Sequence, residues 1–226
     1  MEKKRKSKRK LKIRVDIGMA VLLLLLMSYE LIGKAVHEWI GVVLFFLFAL
    51  HHIVNGRRSR NLLKAPYTAP RVMQNVSVVL LLFCVMGLMV SGVILSRHAF
   101  AFLSIHTGQS WARTTHLLCS YWGFVLMSLH LGFHWQEVIG VVKKHCAALP
   151  EAYFRVLRIA GTVFAGYGAA AFFRRDVGNY LFLKNEFVFF NHEEPIFWFF
   201  LDYMAIMGLF IFIGDCFMCV LRKQDN

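Results

Sequence analysis

The chain has 226 residues, of which 58% are hydrophobic and only 17% charged, against about 45–50% and about 25% in ordinary soluble domains. That balance excludes a solvated domain of average composition, and the lack of recurrent period-two alternation excludes a membrane β-barrel. The net charge of +13 is concentrated at one end, with nine Lys/Arg and one Glu in residues 1–14. No nucleic-acid-binding domain follows this tail, so nucleic acid is not an expected partner. Placed before a hydrophobic helix, the tail is expected to stay in the cytoplasm and to touch anionic lipid.

A membrane-crossing helix needs about 20 mostly apolar residues. Apolar stretches of that length predict spans at roughly 15–34, 36–56, 73–95, 114–136, 153–173 and 195–221. The tail followed by Ile17–Met27 is similar to a signal peptide, but no small-residue cleavage site follows, and an uncleaved first span is expected. Gly33-Lys34-Ala35 separates the first two spans as a tight hairpin. Basic residues recur at 57–72 (Arg57, Arg58, Arg60, Lys64, Arg71), at 137–158 (Lys143, Lys144, Arg155, Arg158) and at Arg222-Lys223. With six spans these segments share the cytoplasmic side with the tail, although Arg97, Arg113, Arg174 and Arg175 on the other side blur the bias.

The expected architecture is all-α: a polytopic membrane bundle of about six transmembrane helices with a four-helix core, which the histidines below mark as the haem-binding part. It comprises a basic cytoplasmic tail (1–14), a transmembrane domain (15–221) and a cytoplasmic tail (222–226). Both termini are expected on the inner face of the cell membrane. The outer segment 174–194 is rich in Phe and predicts an interfacial helix. The five cysteines read as small core residues; Cys216-x-x-Cys219 on the last span is weak evidence for metal or redox chemistry.

The chemistry-bearing residues are histidines. His37, His51 and His52 fall in the second expected span, and His116, His130 and His134 in the fourth. Ionisable residues inside a membrane are costly and mark functional sites. His37 to His51 is a step of 14, and so is His116 to His130. Fourteen helical residues return to within about 40° of the starting face and advance about 21 Å. Both spans run from outside to inside, so two facing helices would present two His–His pairs, one above the other. Imidazole is a haem-iron ligand. With both axial positions filled, each iron carries electrons and does not bind oxygen readily. The expected metal ligands are therefore His37 with His116 on the outer side and His51 with His130 on the inner side, with His52 and His134 as alternates. Gly41 and Gly123 would let a flat macrocycle approach the backbone, and Arg113 is a bidentate partner for a propionate. His98, His106 and His192 lie in outer segments without a metal-site spacing. A single intramembrane histidine is usually an ordinary structural residue, and a relay reading would favour Asp or Glu in mid-span; Asp16, Glu30, Asp202 and Asp215 sit near span ends instead.

The strings His37-Glu38-Trp39-Ile40-Gly41 and Leu50-His51-His52-Ile53-Val54-Asn55 resemble the first half of the flavinylation-associated cytochromes (DUF4405-type). Thr115-His116, Tyr121-Trp122-Gly123-Phe124 and Leu129-His130-Leu131-Gly132-Phe133-His134-Trp135 resemble the second half. The resemblance covers about 14–220. It implies a membrane cytochrome with two b-type haems that passes electrons from a membrane quinone or a reductase to flavin-carrying proteins outside the membrane. Carried over residue by residue, His37, His51, His116 and His130 are the ligands. The other function classes are a quinol- or ferric-reacting oxidoreductase with its site in the 96–113 loop, and a haem-free transporter or membrane scaffold using the histidines as proton relays.

Overall fold

The computed structural model describes residues 2–56, 68–105, 107–146, 149–191 and 193–224. Most of the basic 57–72 segment, together with His106 and His192, lies outside them. No strand occurs among the described residues. The helices are α1 (Glu2–Met27), α2 (Tyr29–Ile32), α3 (Lys34–Val54), α4 (Ala69–Leu95), α5 (Gln109–Phe133), α6 (Trp135–His145), α7 (Glu151–Arg174), α8 (Val177–Leu181) and α9 (Ile196–Gln224), with a 3-10 turn at Ala101–Leu103. Five of these, α3, α4, α5, α7 and α9, are long and apolar enough to cross a membrane. The shortest, α3, has 21 residues, about 31 Å of helix for a hydrocarbon core of about 30 Å. The chain is a multi-pass membrane protein.

The expected first span at 15–34 differs. Here α1 carries the basic tail as continuous helix and ends at Met27, and Ser28 breaks it before α2. The Ser28 hydroxyl turns back to donate to the Leu25 carbonyl at 2.6 Å. The charge-free run Ile17–Met27 then extends only about 16 Å, half of what a bilayer requires.

The chain divides into two compact units, Met1–Pro66 with Gly87–His116, and Tyr67–Met86 with Leu117–Asn226. In the first, α1 packs along α3. Val15, Met19 and Leu23 are buried at four-residue spacing, whereas Ile17 and Val21 are exposed. The reversal falls at Gly33, whose φ of 77° is strained for any other residue, which realises the hairpin read from Gly33-Lys34-Ala35. On α3, Val36, Trp39, Val43, Phe46 and Ile53 form an exposed apolar stripe. Such a stripe suits lipid contact.

In the second unit, α9 packs against α7 and α5. A Cβ on Gly168 would strike the Ala205 carbonyl, and one on Gly132 would strike the backbone of Ile211 and Gly214. Small residues let membrane helices approach this closely, so that dispersion replaces the missing hydrophobic drive. Tyr121 stacks on Tyr180 at 4.6 Å, and Phe124 meets Tyr203 edge-on at 5.8 Å. The 174–194 segment holds the five-residue α8, whose Val177, Tyr180 and Leu181 are buried, while Phe182, Phe187 and Phe189 are exposed. Trp122 Nε1 donates to the Leu181 carbonyl at 2.9 Å.

Candidate functional site

Within the first unit, His37 on α3 and His116 on α5 stand face to face. Their ring centroids are 6.0 Å apart with the planes inclined at 60°. Two imidazoles ligating opposite sides of one metal ion at about 2.0 Å would have centroids about 6 Å apart. Tyr29 closes one side of His37 edge-on at 5.1 Å, and a Cβ on Gly92 would lie 3.7 Å from His116 Cε1.

The tautomer of His116 follows from its partner. Ser91 Oγ lies 3.1 Å from His116 Nδ1. The single hydroxyl hydrogen of Ser91 is directed to the Gly87 carbonyl at 2.6 Å, with Leu88 O at 3.2 Å. Toward His116 the serine oxygen therefore accepts, Nδ1 carries the hydrogen, and the lone pair sits on Nε2. Metal-ligating histidines are held in this way, by an acceptor on the far nitrogen. His37 lacks such a side chain. Its Nδ1 meets no side-chain acceptor among the described residues, and the acceptor beside it is the Leu26 backbone carbonyl.

No protein-family model, no curated protein and no solved structure matches the chain.

Beside His37, the Glu38 carboxylate gathers the loop that follows α4. It accepts from Ser96 Oγ at 2.7 Å and from the backbone N–H groups of Arg97, His98 and Ala99 at 3.0, 2.9 and 2.9 Å, with His98 Nδ1 at 3.2 Å. Arg113 is exposed one turn before His116, and Gly41 has open space beside its Cα.

Four turns along α3, His51 Nδ1 meets Asp16 Oδ1 of α1 at 2.7 Å. Asn55 Nδ2 donates to the His51 carbonyl at 2.9 Å. His52 instead packs edge-on against Phe48 at 4.5 Å. Of these neighbours, His51 has its ring set by a carboxylate, whereas the His52 ring rests on a phenyl group.

In the second unit, His130 on α5 repeats the His116 arrangement. Ser77 Oγ of α4 lies 2.9 Å from His130 Nδ1 and gives its hydrogen to the Gln74 carbonyl at 2.8 Å. Nδ1 again carries the hydrogen, and Nε2 the lone pair. His134 stands outside α5, because the helix ends at Phe133 and His134 caps α6 with φ −104°. Its Nδ1 lies 3.2 Å from Glu137 Oε1, and its ring is edge-on to His130 at 5.0 Å. Gly123 is buried on α5. Among the described residues no group of three or more His, Cys, Asp or Glu converges, and the histidine rings that face each other across two helices are those of His37 and His116.

The sequence reading missed Ser77, Ser91, Asp16 and Glu38. A signal for the serines was present: Ser77 and Ser91 are also 14 residues apart, the spacing of both histidine pairs.

Proposed function

We propose that the chain is a transmembrane electron carrier, a cytochrome b subunit holding b-type haem between pairs of histidines. One observation carries the reading: two histidines on separate helices, 6.0 Å apart, with the nitrogen of His116 that faces away from a ligand fixed by Ser91. The residues fit the group. The spacing of the two rings suits a shared metal ion, the lone pair of His116 is on Nε2, and Gly92 lies against the His116 ring. When bound, haem supplies reversible one-electron transfer between ferrous and ferric iron. His37 and His116 would hold it, and the apolar helices would exclude water and lower the local dielectric.

A second haem, with His51 and His130 as ligands, rests on the sequence spacing alone, the 14-residue step shared by the two histidine-bearing helices. α1 with α2 would form a further membrane-embedded segment alongside the five spans, its basic end on the cytoplasmic face against anionic lipid. Electrons would come from a quinone or a reductase and leave to a flavin-carrying protein outside the membrane, as the family resemblance implies.

The test is the reduced-minus-oxidised spectrum and the iron content of the purified, haem-supplemented chain. Low-spin b-type bands with two irons per chain are expected, and His37→Ala or His116→Ala should remove one iron and leave the other. Folded protein that stays colourless would overturn the reading. The Asp16–His51 pair also suits a haem-free proton relay, for which colourless protein with pH-dependent transport in vesicles would be the signature.

A further inference from the structure

The two ends of α7 leave their arginines in opposite states. At one end Arg174 and Arg175 both reach the Asp202 carboxylate, and Arg175 also forks onto Glu194. At the other end Arg155 and Arg158 are exposed and meet no carboxylate, since the ion pairs among the described residues all lie elsewhere. Glu151, one turn before Arg155, is not paired with it either. A third cation joins them. Lys143, in the last turn of α6, carries its ammonium 5.5 Å from the centroid of the Phe154 ring, a cation–π distance. Phe154 precedes Arg158 by one helical turn and shares its face. Lys143 and Arg158 therefore come from two helices to flank one phenyl ring. All of these residues belong to the second unit.

The surroundings are those of a lipid-facing helix. Residues Glu151 to Val163 are all exposed except Phe154, and Val156, Leu157, Ile159 and Val163 form apolar surface there. With 24 residues, α7 is about 36 Å long against a hydrocarbon core of about 30 Å. Arg155 and Arg158 lie about 6 and about 10 Å from its first residue, at or just inside the hydrocarbon edge. A guanidinium there is costly without a counter-charge, and its long stem carries it toward the level of the lipid phosphates. Phosphate oxygens accept a guanidinium fork as a carboxylate does, so a phosphate would do for Arg155 and Arg158 what Asp202 does for the arginines at the far end of α7. The plainer reading is that these are solvated anchors, as Arg222 and Lys223 are in the last turn of α9. The Lys143–Phe154 contact sets the place apart, because it brings a cation from a second helix to the same turn of α7.

We propose that the junction of α6 and α7 binds an anionic phospholipid. Arg155, Arg158 and Lys143 hold its phosphates, and its acyl chains lie along Val156, Ile159 and Val163, which share one face of α7. Basic clusters between membrane helices take up multiply charged headgroups, and three cations match a headgroup with two phosphates better than one with a single phosphate. The site is separate from the histidines, and the inference does not rest on the haem reading.

The experiment is native mass spectrometry of the full chain in detergent, counting retained lipid as cardiolipin (two phosphates), phosphatidylglycerol (one phosphate) or phosphatidylcholine (zwitterionic) is titrated in. Cardiolipin should bind tightest and phosphatidylcholine weakest. Arg155→Gln combined with Arg158→Gln should weaken cardiolipin binding about 30-fold, and Lys143→Gln alone about fivefold. Arg222→Gln combined with Lys223→Gln should leave it unchanged. An equal loss from that control pair, or no loss from the Arg155 and Arg158 pair, would reduce the patch to diffuse surface charge and overturn the inference. Displacement of cardiolipin by excess inorganic phosphate would overturn it too, by showing a site for a soluble anion. If the Arg155 and Arg158 pair fails to accumulate, Lys143→Gln decides, since cardiolipin affinity equal to that of the unaltered chain would refute the site.

Discussion

Ser91 accepts the Nδ1–H of His116 at 3.1 Å while passing its own hydrogen to the Gly87 carbonyl of its helix. One hydroxyl thus does two jobs. It satisfies a polar nitrogen in an apolar environment, and it fixes which ring nitrogen keeps a lone pair. Fourteen residues earlier on α4, Ser77 does the same for His130. α4 thereby carries the hydrogen-bond acceptors of two histidines on α5.

Replacing Ser91 with alanine should leave the buried His116 N–H only the Leu88 carbonyl as acceptor, at a cost of about 1 kcal/mol. The affinity for haem at the His37/His116 level should fall about 10–100-fold, with Ser91→Thr close to the unaltered chain. Titration of haem into the apo-protein, followed by its visible absorbance, measures this. Two equally tight sites in Ser91→Ala would reduce the serine to a local helix contact.

The helices were legible because lipid imposes length: runs of about 20 apolar residues are hard to hide, and α3, α4, α5, α7 and α9 fall where the sequence put spans. The first span was less legible. Apolar content between Ile17 and Ile32 suggests one element, but the Ser28 hydroxyl competes for a helix carbonyl and divides it. At the site, the 14-residue step brings out the histidines because a helix converts spacing into a shared face. Their acceptors were not read, since serine is unremarkable in a membrane helix. Asp16 is separated from His51 by 35 residues and a hairpin, so nothing local marks it as a partner.

Asp202 is fully buried on α9 and holds three donors: Tyr167 Oη at 2.6 Å, Arg175 Nε at 2.8 Å, and Arg174. Arg175 also forks onto both Glu194 oxygens at 2.6 Å, so the cluster ties the 174–194 segment to two spans. Asp202→Ala should remove the shared acceptor of Tyr167, Arg174 and Arg175, leaving Arg175 only its pair with Glu194, and destabilise the second unit by about 1–3 kcal/mol. Arg174 is 52% exposed, and Arg174→Ala should cost under about 1 kcal/mol. Thermal unfolding in detergent ranks the two; equal losses would mean that Asp202 is not the centre of the cluster.

Gly168 admits no side chain, because a Cβ there would meet the Ala205 carbonyl, backbone that cannot rotate away. Gly168→Val should force α7 from α9 and yield aggregated protein on size-exclusion chromatography. Gly161→Val, on the same helix with open space around its Cα, should remain monodisperse. If both variants behave alike, close packing at Gly168 is not what joins the two helices.

Glu38 follows His37 on α3 and spends its carboxylate on three consecutive backbone amides, at Arg97, His98 and Ala99. Its side chain is only 16% exposed, so water does not readily replace it. In Glu38→Ala each amide loses its acceptor, worth about 1–3 kcal/mol apiece, and amide hydrogen exchange across 97–99 should accelerate at least about tenfold. Glu38→Gln keeps one acceptor oxygen and should fall between. The same change should loosen the end of α3 that presents His37 more than the end that presents His51, four turns away. Haem loss from Glu38→Ala, if selective for the His37 level, would tie the clamp to the site. Exchange at 97–99 unchanged from the parent chain would show that the loop is held by other means.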